Sequence, residues 1–207
     1  MYTTILFDID GTLLDSNPML ISAFKKALES VGLKYSTEKL DYIIGLTENE
    51  AATLFTKHDE EKRLLISNWT RFVKHSRNDA KLFPGVIDVL SLLLLKNKNV
   101  GIVTSKRKKH MLVEFDRFNI NHYFDTIVTS DDVKFPKPNP EPLELAMTRL
   151  NADKESTLYI GDTKSDWSCS KSAGVDFALA SWGTTLPSSS FPNSHILSRI
   201  DDLKKYL

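Results

Sequence analysis

Two aspartates, Asp8 and Asp10, directly follow the short, mainly apolar run 4–7 (TILF). Alternate side chains of an extended chain point the same way, so we expect the two carboxylates to converge while Ile9 turns toward the core. Such carboxylates repel one another unless one keeps a proton or a cation lies between them. Both arrangements indicate chemistry at neutral pH, and the simpler alternative is an acidic turn after an edge strand.

Two hydroxyl residues, Thr104 and Ser105, stand where the strand-like run 99–104 ends. Their hydroxyl and N–H groups could hold an anionic oxygen, and the simpler alternative is that they cap a helix. Lys137 opens the loop 137–142 (KPNPEP), in which prolines restrict the backbone. A loop lysine is usually solvated, but a lysine whose backbone is held in one conformation suits contact with a phosphate.

Two more aspartates, Asp162 and Asp166, follow the run 156–161, which ends in glycine. If a helix begins in this segment, Asp162 lies at the edge of the sheet and Asp166 lies in the first helical turn. The helix N-terminus alone would stabilise the carboxylate of Asp166, so this residue also has a purely structural interpretation.

The carboxylates and the hydrogen-bond donors form complementary halves of one predicted site. Asp8, Asp10 and Asp162 supply the hard oxygen ligands that suit Mg²⁺. The donor half, which would hold a phosphoryl group, comprises Thr104, Lys137 and the Gly11 N–H. Phosphoryl transfer needs charge neutralisation around the equatorial oxygens and a nucleophile held in line. The pattern therefore predicts a phosphoryl-transfer site.

The elements that must position these residues alternate along the chain. Short runs rich in β-branched or aromatic residues predict buried parallel strands at 4–7, 99–104, 125–129, 156–161 and 175–180. Helical spacing lies between them, at 85–96, 108–118, 140–150 and 165–173. This alternation predicts an α/β fold, a doubly wound Rossmann-like parallel sheet, whose ligands bind beyond the carboxyl ends of the strands.

One long segment, 15–81, breaks the alternation because its pattern is helical throughout. We interpret it as an all-helical cap domain inserted into a core domain made of 1–14 and 82–207. A permanently packed set of extra helices is the alternative. The position of the insert, directly after Asp8 and Asp10, favours a mobile cap over the carboxylates.

The composition is that of an ordinary enzyme rather than a nucleic-acid or membrane binder. Among the 207 residues, 27 Lys and Arg balance 27 Asp and Glu, so we expect no nucleic-acid partner and no membrane partner. The single cysteine, Cys169, cannot form an internal disulfide. Together with the lack of a leader-like or membrane-spanning apolar run, this predicts a cytoplasmic protein. We expect a monomer or a weak homodimer.

Four motifs, in order along the chain, resemble those of the haloacid dehalogenase superfamily of phosphotransferases. They are 8–16 (DIDGTLLDS), 103–105 (VTS), 137–140 (KPNP) and 161–166 (GDTKSD). The chain is most similar to the phosphoglycolate phosphatase-like and β-phosphoglucomutase-like members, which carry a small helical cap after the first strand. The resemblance covers nearly the whole chain, and its motifs are specific for the superfamily rather than for a substrate.

The resemblance implies a role for each motif residue. Asp8 would attack phosphorus and become an aspartyl-phosphate, while Asp10 would protonate the leaving oxygen and later deprotonate water. The Asp8 carboxylate, the Asp10 backbone carbonyl and Asp162 would bind Mg²⁺, with Asp166 orienting that shell. The phosphate would be bound by Thr104, the Ser105 N–H, Lys137 and the Gly11 N–H.

These roles predict an Mg²⁺-dependent phosphatase that hydrolyses a small phosphate monoester, phosphoglycolate-like or a sugar phosphate. The mutases of the family carry an arginine that grips a second phosphate where this chain has Glu48, which disfavours a β-phosphoglucomutase. An inorganic pyrophosphatase stays open. Outside the enzymes, a phospho-accepting signalling module would carry its phosphate after the third strand, at 129–132 (TSDD), and an inactive binding module on this fold is the other alternative.

Overall fold

The computed structural model describes residues 1–35 and 40–207. The strands are β1 (Thr4–Phe7), β2 (Leu14–Asp15), β3 (Lys81–Leu82), β4 (Asn99–Val103), β5 (Thr126–Val128), β6 (Thr157–Gly161), β7 (Asp176–Ala180) and β8 (His195–Leu197). The helices are α1 (Asn17–Ser30), α2 (Glu48–Thr53), α3 (Asp59–Ser76), α4 (Val86–Leu95), α5 (Lys108–Glu114), α6 (Glu141–Leu150) and α7 (Lys164–Ala173).

Six parallel strands form the central sheet in the order β5-β4-β1-β6-β7-β8. Strand β1 is central, and its last residue, Phe7, lies beside Ile102 of β4 and Ile160 of β6. Because these strands run in the same direction and in this register, the residues that follow them emerge at one edge of the sheet. The carboxyl ends of β1, β4 and β6 thus face a common site.

Successive side chains of β1 enter opposite cores. Ile5 and Phe7 belong to a buried cluster with residues of α4 and α5, whereas Leu6 belongs to a second cluster with residues of α6 and α7. A strand buried on both faces reads as a continuous apolar run, which is the pattern that the sequence shows at 4–7. The burial of both faces holds the backbone that carries Asp8.

The helical segment has its own buried cluster, formed by α1, α2 and α3. Phe24 and Trp69 meet edge to face with ring centroids 4.7 Å apart, and the indole N–H of Trp69 donates to the Leu20 carbonyl at 3.2 Å. Strands β2 and β3 pair antiparallel where the chain leaves and re-enters the core, and between them the described residues form α1, α2, α3 and two 3-10 turns joined by loops. The division into a core domain and a cap domain stays a prediction.

The predicted α/β fold with a parallel sheet is confirmed. The sequence pattern missed β8, a three-residue strand after a Pro- and Ser-rich loop, and it missed the β2–β3 ladder. Helix α5 ends at Glu114 rather than at 118, because a separate 3-10 turn covers Asp116–Phe118. Within residues 1–35 and 40–207, no helix combines the length and apolar character needed to cross a membrane.

Candidate active site

A buried lysine joins two of the predicted carboxylates beyond the sheet edge. The ammonium of Lys137 donates to Asp8 Oδ1 at 3.0 Å and to Asp166 Oδ1 at 2.6 Å. Lys137 is only 1 % exposed and Asp8 only 4 %. Asp8, Asp162 and Asp166 each offer an oxygen atom, and these three oxygens lie within 4.8 Å of one another. The structure therefore brings together residues that are up to 158 positions apart.

The position of each carboxylate follows from its place in the fold. Asp8 follows the central strand β1, and its N–H donates to the Ile160 carbonyl of β6 at 2.9 Å. Asp166 lies in the first turn of α7, where Thr163 and Asp166 form a reciprocal capping box. Asp166 thus stabilises the start of the helix through one oxygen and accepts from Lys137 through the other. The structural interpretation of Asp166 is therefore correct, and its expected role in orienting a metal shell stays a prediction.

Burial and neighbouring charges give the three carboxylates of this cluster different pKa values. Burial, together with the charges of Asp166 and Asp10, raises the pKa of Asp8 to about 7 despite the opposing charge of Lys137. Burial and the neighbouring Asp166 and Asp8 raise the pKa of Asp162 well above its ordinary value. Burial opposes ionisation of Asp166 as well, but the charge and hydrogen bond of Lys137 lower its pKa. One lysine therefore cannot neutralise all three acids.

A divalent cation fits this residue set. Its atoms are all carboxylate oxygens, which are hard ligands of the kind that Mg²⁺ prefers. A cation among them would also relieve the repulsion that raises the pKa values of Asp8 and Asp162. The carboxylates that lie close to that of Asp8 in this cluster belong to Asp162 and Asp166. The metal site expected from Asp8, the Asp10 backbone carbonyl and Asp162 stays a prediction.

Raising the pH from 5.5 to 8 is expected to strengthen Mg²⁺ binding. Mg²⁺ binds ionised carboxylates, so a proton held by Asp8 below its pKa of about 7 must leave first. This competition weakens the apparent affinity about tenfold per pH unit for each such proton. Titration calorimetry at both pH values measures the change, with Asp162→Asn as the control that removes a ligand. Equal affinities at the two pH values would contradict the prediction.

The side chain of Asp10 has partners of its own. Its Oδ2 lies 2.9 Å from the Lys106 ammonium, and its Oδ1 accepts from the Ser16 hydroxyl at 2.5 Å. Lys106 also contacts Glu114 Oε2 at 2.7 Å. Burial acts to lower the pKa of Lys106, but the charges of Asp10 and Glu114 outweigh it and raise that pKa. Asp10 is thus held by two donors on the same pocket that Asp8 lines.

Two of the four phosphate-binding candidates line this pocket, a third, Lys137, contacts Asp8, and the N–H group of the fourth has a partner within the chain. Thr104 and Ser105 line the pocket with Asp8 and Asp10. The Gly11 N–H, predicted as a phosphate donor, instead donates to the Leu14 carbonyl at 2.8 Å. That bond closes a tight turn in which Gly11 has a φ of +75°, so the Gly11 N–H already has a hydrogen-bond partner within the chain.

The helical segment covers the pocket with mostly apolar side chains. Its lining side chains include Leu20, Ile43, Ile44, Trp69 and Val73. Glu48 is the acidic exception; its Oε1 lies 2.6 Å from His110 Nδ1 of α5. The Ser105 hydroxyl donates to the Gly45 carbonyl at 3.0 Å, which is a second contact between the segment and the core. The basic residues Lys57, His58, Arg63 and Arg71 of the segment are exposed and do not belong to this lining.

Three side chains of the site were missed by sequence reasoning. Lys106 begins the basic run 106–109 (KRKK), which is typical of a solvated surface, and only its position two residues after Thr104 hinted at the site. Glu114 lies at the end of α5 without a motif. The hydroxyl of the fully buried Tyr159 lies 2.8 Å from Asp166 Oδ1, but Tyr159 occurs inside an apolar strand, where a core role is the natural interpretation.

Replacing Gly183 with alanine is expected to displace the loop that packs on the motif around Asp10. A Cβ at Gly183 would lie 1.8 Å from the Gly11 carbonyl oxygen, which is backbone and cannot rotate away. The neighbouring Trp182 indole donates to the Thr12 carbonyl at 3.1 Å and would move with it. We expect a loss of about 1–3 kcal/mol in the free energy of unfolding. Denaturant unfolding measures it against Thr185→Ala, an exposed residue of the same loop, and a Gly183→Ala protein as stable as that control would refute the packing argument.

Comparison with known proteins agrees with the fold and identifies the family of the chain. Residues 5–180 match the haloacid dehalogenase-like hydrolase family. The chain therefore belongs to the haloacid dehalogenase-like hydrolases, and it is an enzyme of the phosphatase type.

Curated relatives cover nearly the whole chain. Pyrophosphatase PpaX of Oceanobacillus iheyensis is 33 % identical over 204 residues, which covers 97 % of this chain and 94 % of the relative. PpaX of Halalkalibacterium halodurans is 35 % identical over 184 residues, with coverage of 86 % and 83 %.

Solved structures are similar over their full length. A Lactobacillus plantarum protein described as a phosphoglycolate phosphatase is 25 % identical, with a TM-score of 0.92 and coverage of 100 % of both chains. A Bacteroides fragilis protein described as a haloacid dehalogenase-like hydrolase is 29 % identical, with a TM-score of 0.90 and coverage of 98 % and 100 %.

Proposed function

We propose that this enzyme is an Mg²⁺-dependent phosphatase that hydrolyses a small phosphate monoester through an aspartyl-phosphate on Asp8. The observation that carries the proposal is the buried Lys137, which contacts Asp8 and Asp166 at the edge of the sheet where Asp162 also lies. An anionic nucleophile, a fixed positive charge and a set of oxygen ligands are the groups that phosphoryl transfer requires.

The first step forms a bond between a carboxylate oxygen of Asp8 and phosphorus. The bond from phosphorus to the ester oxygen breaks, its electron pair stays on the leaving oxygen, and Asp10 gives that oxygen a proton. In the second step water attacks phosphorus, the bond from phosphorus to Asp8 breaks, and the water proton passes to Asp10. Lys137 stabilises the charge at Asp8 throughout, while Thr104 and Ser105 bind phosphoryl oxygens.

The metal would be held by the Asp8 carboxylate, the Asp10 backbone carbonyl and Asp162, with Asp166 orienting that shell. When bound, Mg²⁺ supplies positive charge that offsets the phosphoryl oxygens and the paired acids. Asp166 is already fixed by Lys137, Thr163 and the first turn of α7, so it can orient its neighbours without moving.

The character of the pocket supports a small substrate with a single phosphate. Its cap side is apolar except for Glu48 and Thr70, and the carboxylate of Glu48 repels the second phosphate that a phosphomutase must grip. Lys106 and Lys137, both near the pocket, are each paired with two carboxylates. A small phosphorylated metabolite is therefore the substrate class that we propose.

Inorganic pyrophosphate is the second candidate. The relatives named pyrophosphatase PpaX match 97 % and 86 % of this chain at 33 % and 35 % identity. Pyrophosphate is small enough for a capped site, and its hydrolysis needs the same attack by Asp8. The two candidates differ in what leaves, an alcohol in one case and a second orthophosphate in the other.

A substrate panel with the purified protein tests both candidates. Phosphoglycolate, several sugar phosphates and pyrophosphate are each incubated with Mg²⁺ and, in parallel, with a chelator. A monoesterase releases one orthophosphate and one alcohol per turnover, whereas a pyrophosphatase releases two orthophosphates and a mutase releases an isomerised sugar phosphate. Absence of orthophosphate release above the chelated sample, across the whole panel, would defeat the proposed function.

A further inference from the structure

Lys106 lies between Asp10, the acid–base residue of the proposed mechanism, and the buried carboxylate of Glu114. Its ammonium is 2.9 Å from Asp10 Oδ2 and 2.7 Å from Glu114 Oε2, and its side chain is 9 % exposed. Glu114 is 6 % exposed at its side chain. All three residues line the pocket that also contains Asp8. This ion cluster is separate from the one that Lys137 forms with Asp8 and Asp166.

We propose that Lys106, itself fixed by Glu114, is a positioning residue that orients the Asp10 carboxylate toward the leaving-group oxygen. The inference rests on the proposed function, since it assigns Asp10 the proton transfer. It assigns a role to Lys106 and to Glu114, neither of which belongs to the four sequence motifs.

The geometry gives each group of the cluster a distinct task. Ser16 donates to Oδ1 of Asp10 and Lys106 approaches Oδ2, so both oxygens have a partner and rotation of the carboxylate is restrained. Glu114 holds Lys106 from the other side, which keeps the ammonium in place while Asp10 gives and takes its proton. Proton transfer to a leaving oxygen requires a donor within hydrogen-bond distance and in the correct orientation, which such restraint provides.

The dependence of activity on the leaving group distinguishes a residue that orients the general acid from one that only supports the fold. An alkyl phosphate has a poor leaving group that needs a proton as its bond to phosphorus breaks, whereas p-nitrophenolate leaves with little help. The parameter kcat/KM reports on the steps up to the first irreversible one, which here is formation of the aspartyl-phosphate. We therefore compare kcat/KM for the best alkyl substrate of the panel and for p-nitrophenyl phosphate.

Lys106→Met is expected to lower kcat/KM about 100-fold for the alkyl phosphate and less than about tenfold for p-nitrophenyl phosphate. Lys106→Arg, which keeps a charge that can contact Asp10, is expected to recover part of the alkyl activity. Lys109→Met, an exposed lysine of the same basic run, is the matched control and is expected to leave both values unchanged. Circular dichroism and thermal unfolding establish that each variant is folded.

Equal losses for the two substrates would show a merely structural role and would overturn the proposal, as would full activity of Lys106→Met on both. If Lys106→Met does not fold, Glu114→Gln is compared in the same way, with a selective loss of about tenfold expected for the alkyl substrate. Equal effects on both substrates would again overturn the proposal. Failure of the proposed function itself is distinguishable, because the unmodified protein would then hydrolyse neither ester.

Discussion

Replacement of Asp8 by asparagine is expected to abolish phosphatase activity while leaving the protein folded. The amide matches the carboxylate in size but lacks the ionised oxygen that attacks phosphorus. Removal of a covalent nucleophile lowers kcat by at least about 10⁴-fold. Burial and neighbouring acids already raise the pKa of Asp8 to about 7, so a neutral side chain at this position removes an unfavourable buried charge. We therefore expect thermal stability to be unchanged or higher.

Two measurements check this prediction independently. Orthophosphate release with Mg²⁺ follows the complete reaction, and fluorine NMR with beryllium fluoride and Mg²⁺ detects an aspartyl adduct that mimics the phosphorylated side chain. Asp88→Asn, an exposed aspartate in the first turn of α4, is the matched control and should retain both activity and adduct. Substantial turnover by Asp8→Asn, or an adduct that persists in this variant, would place the nucleophile elsewhere and remove the basis of the mechanism.

Replacement of Lys137 by methionine is expected to impair both stability and activity. Lys137 is almost completely buried and contacts Asp8, Asp166 and the Tyr159 hydroxyl, so an apolar side chain of similar size leaves the two acids without their shared positive partner. Breaking a buried ion pair by removing one partner costs about 3–5 kcal/mol. Loss of the charge beside the nucleophile should lower kcat at least about 100-fold.

Denaturant unfolding and steady-state kinetics measure the two effects separately. Lys134→Met is the matched control, because Lys134 lies on the same loop but is exposed, and we expect it to change the free energy of unfolding by less than about 0.5 kcal/mol. Added Mg²⁺ should restore part of the stability of Lys137→Met, since a cation can take over the neutralisation of the acids. A Lys137→Met protein with the stability and activity of the control would show that the buried charge has no role.

Much of the site follows from one rule that a sequence can reveal. Parallel strands end at the same edge, so polar residues after apolar runs, such as Asp8, Thr104 and Asp162, are expected to meet there. The strands are apolar on both faces and easy to recognise, which made the central part of the fold predictable. The edge strand β8 has only three residues, with His195 among them, and no periodic pattern marks it.

The parts that were wrong or missed depend on local geometry that residue types do not specify. The Gly11 N–H was expected to face a phosphate, but it donates to Leu14 within the turn that follows Asp10. Lys106 was not distinguished from its exposed neighbours 107–109, because a run of basic residues contains no sign of which member turns inward. Its burial depends on the ion pair with Glu114, which lies eight residues away at the end of α5.

The central position of β1 has a consequence for the order in which function arises during synthesis. Asp8 is synthesised about 150 residues before β6 (Thr157–Gly161), its hydrogen-bonded neighbour in the sheet, and the other two carboxylates of the cluster come after β6. A nascent chain that stops short of residue 161 therefore holds one carboxylate of three and an incomplete sheet. Such a fragment is expected to lack phosphatase activity, so a prematurely terminated chain would not be a partly active enzyme.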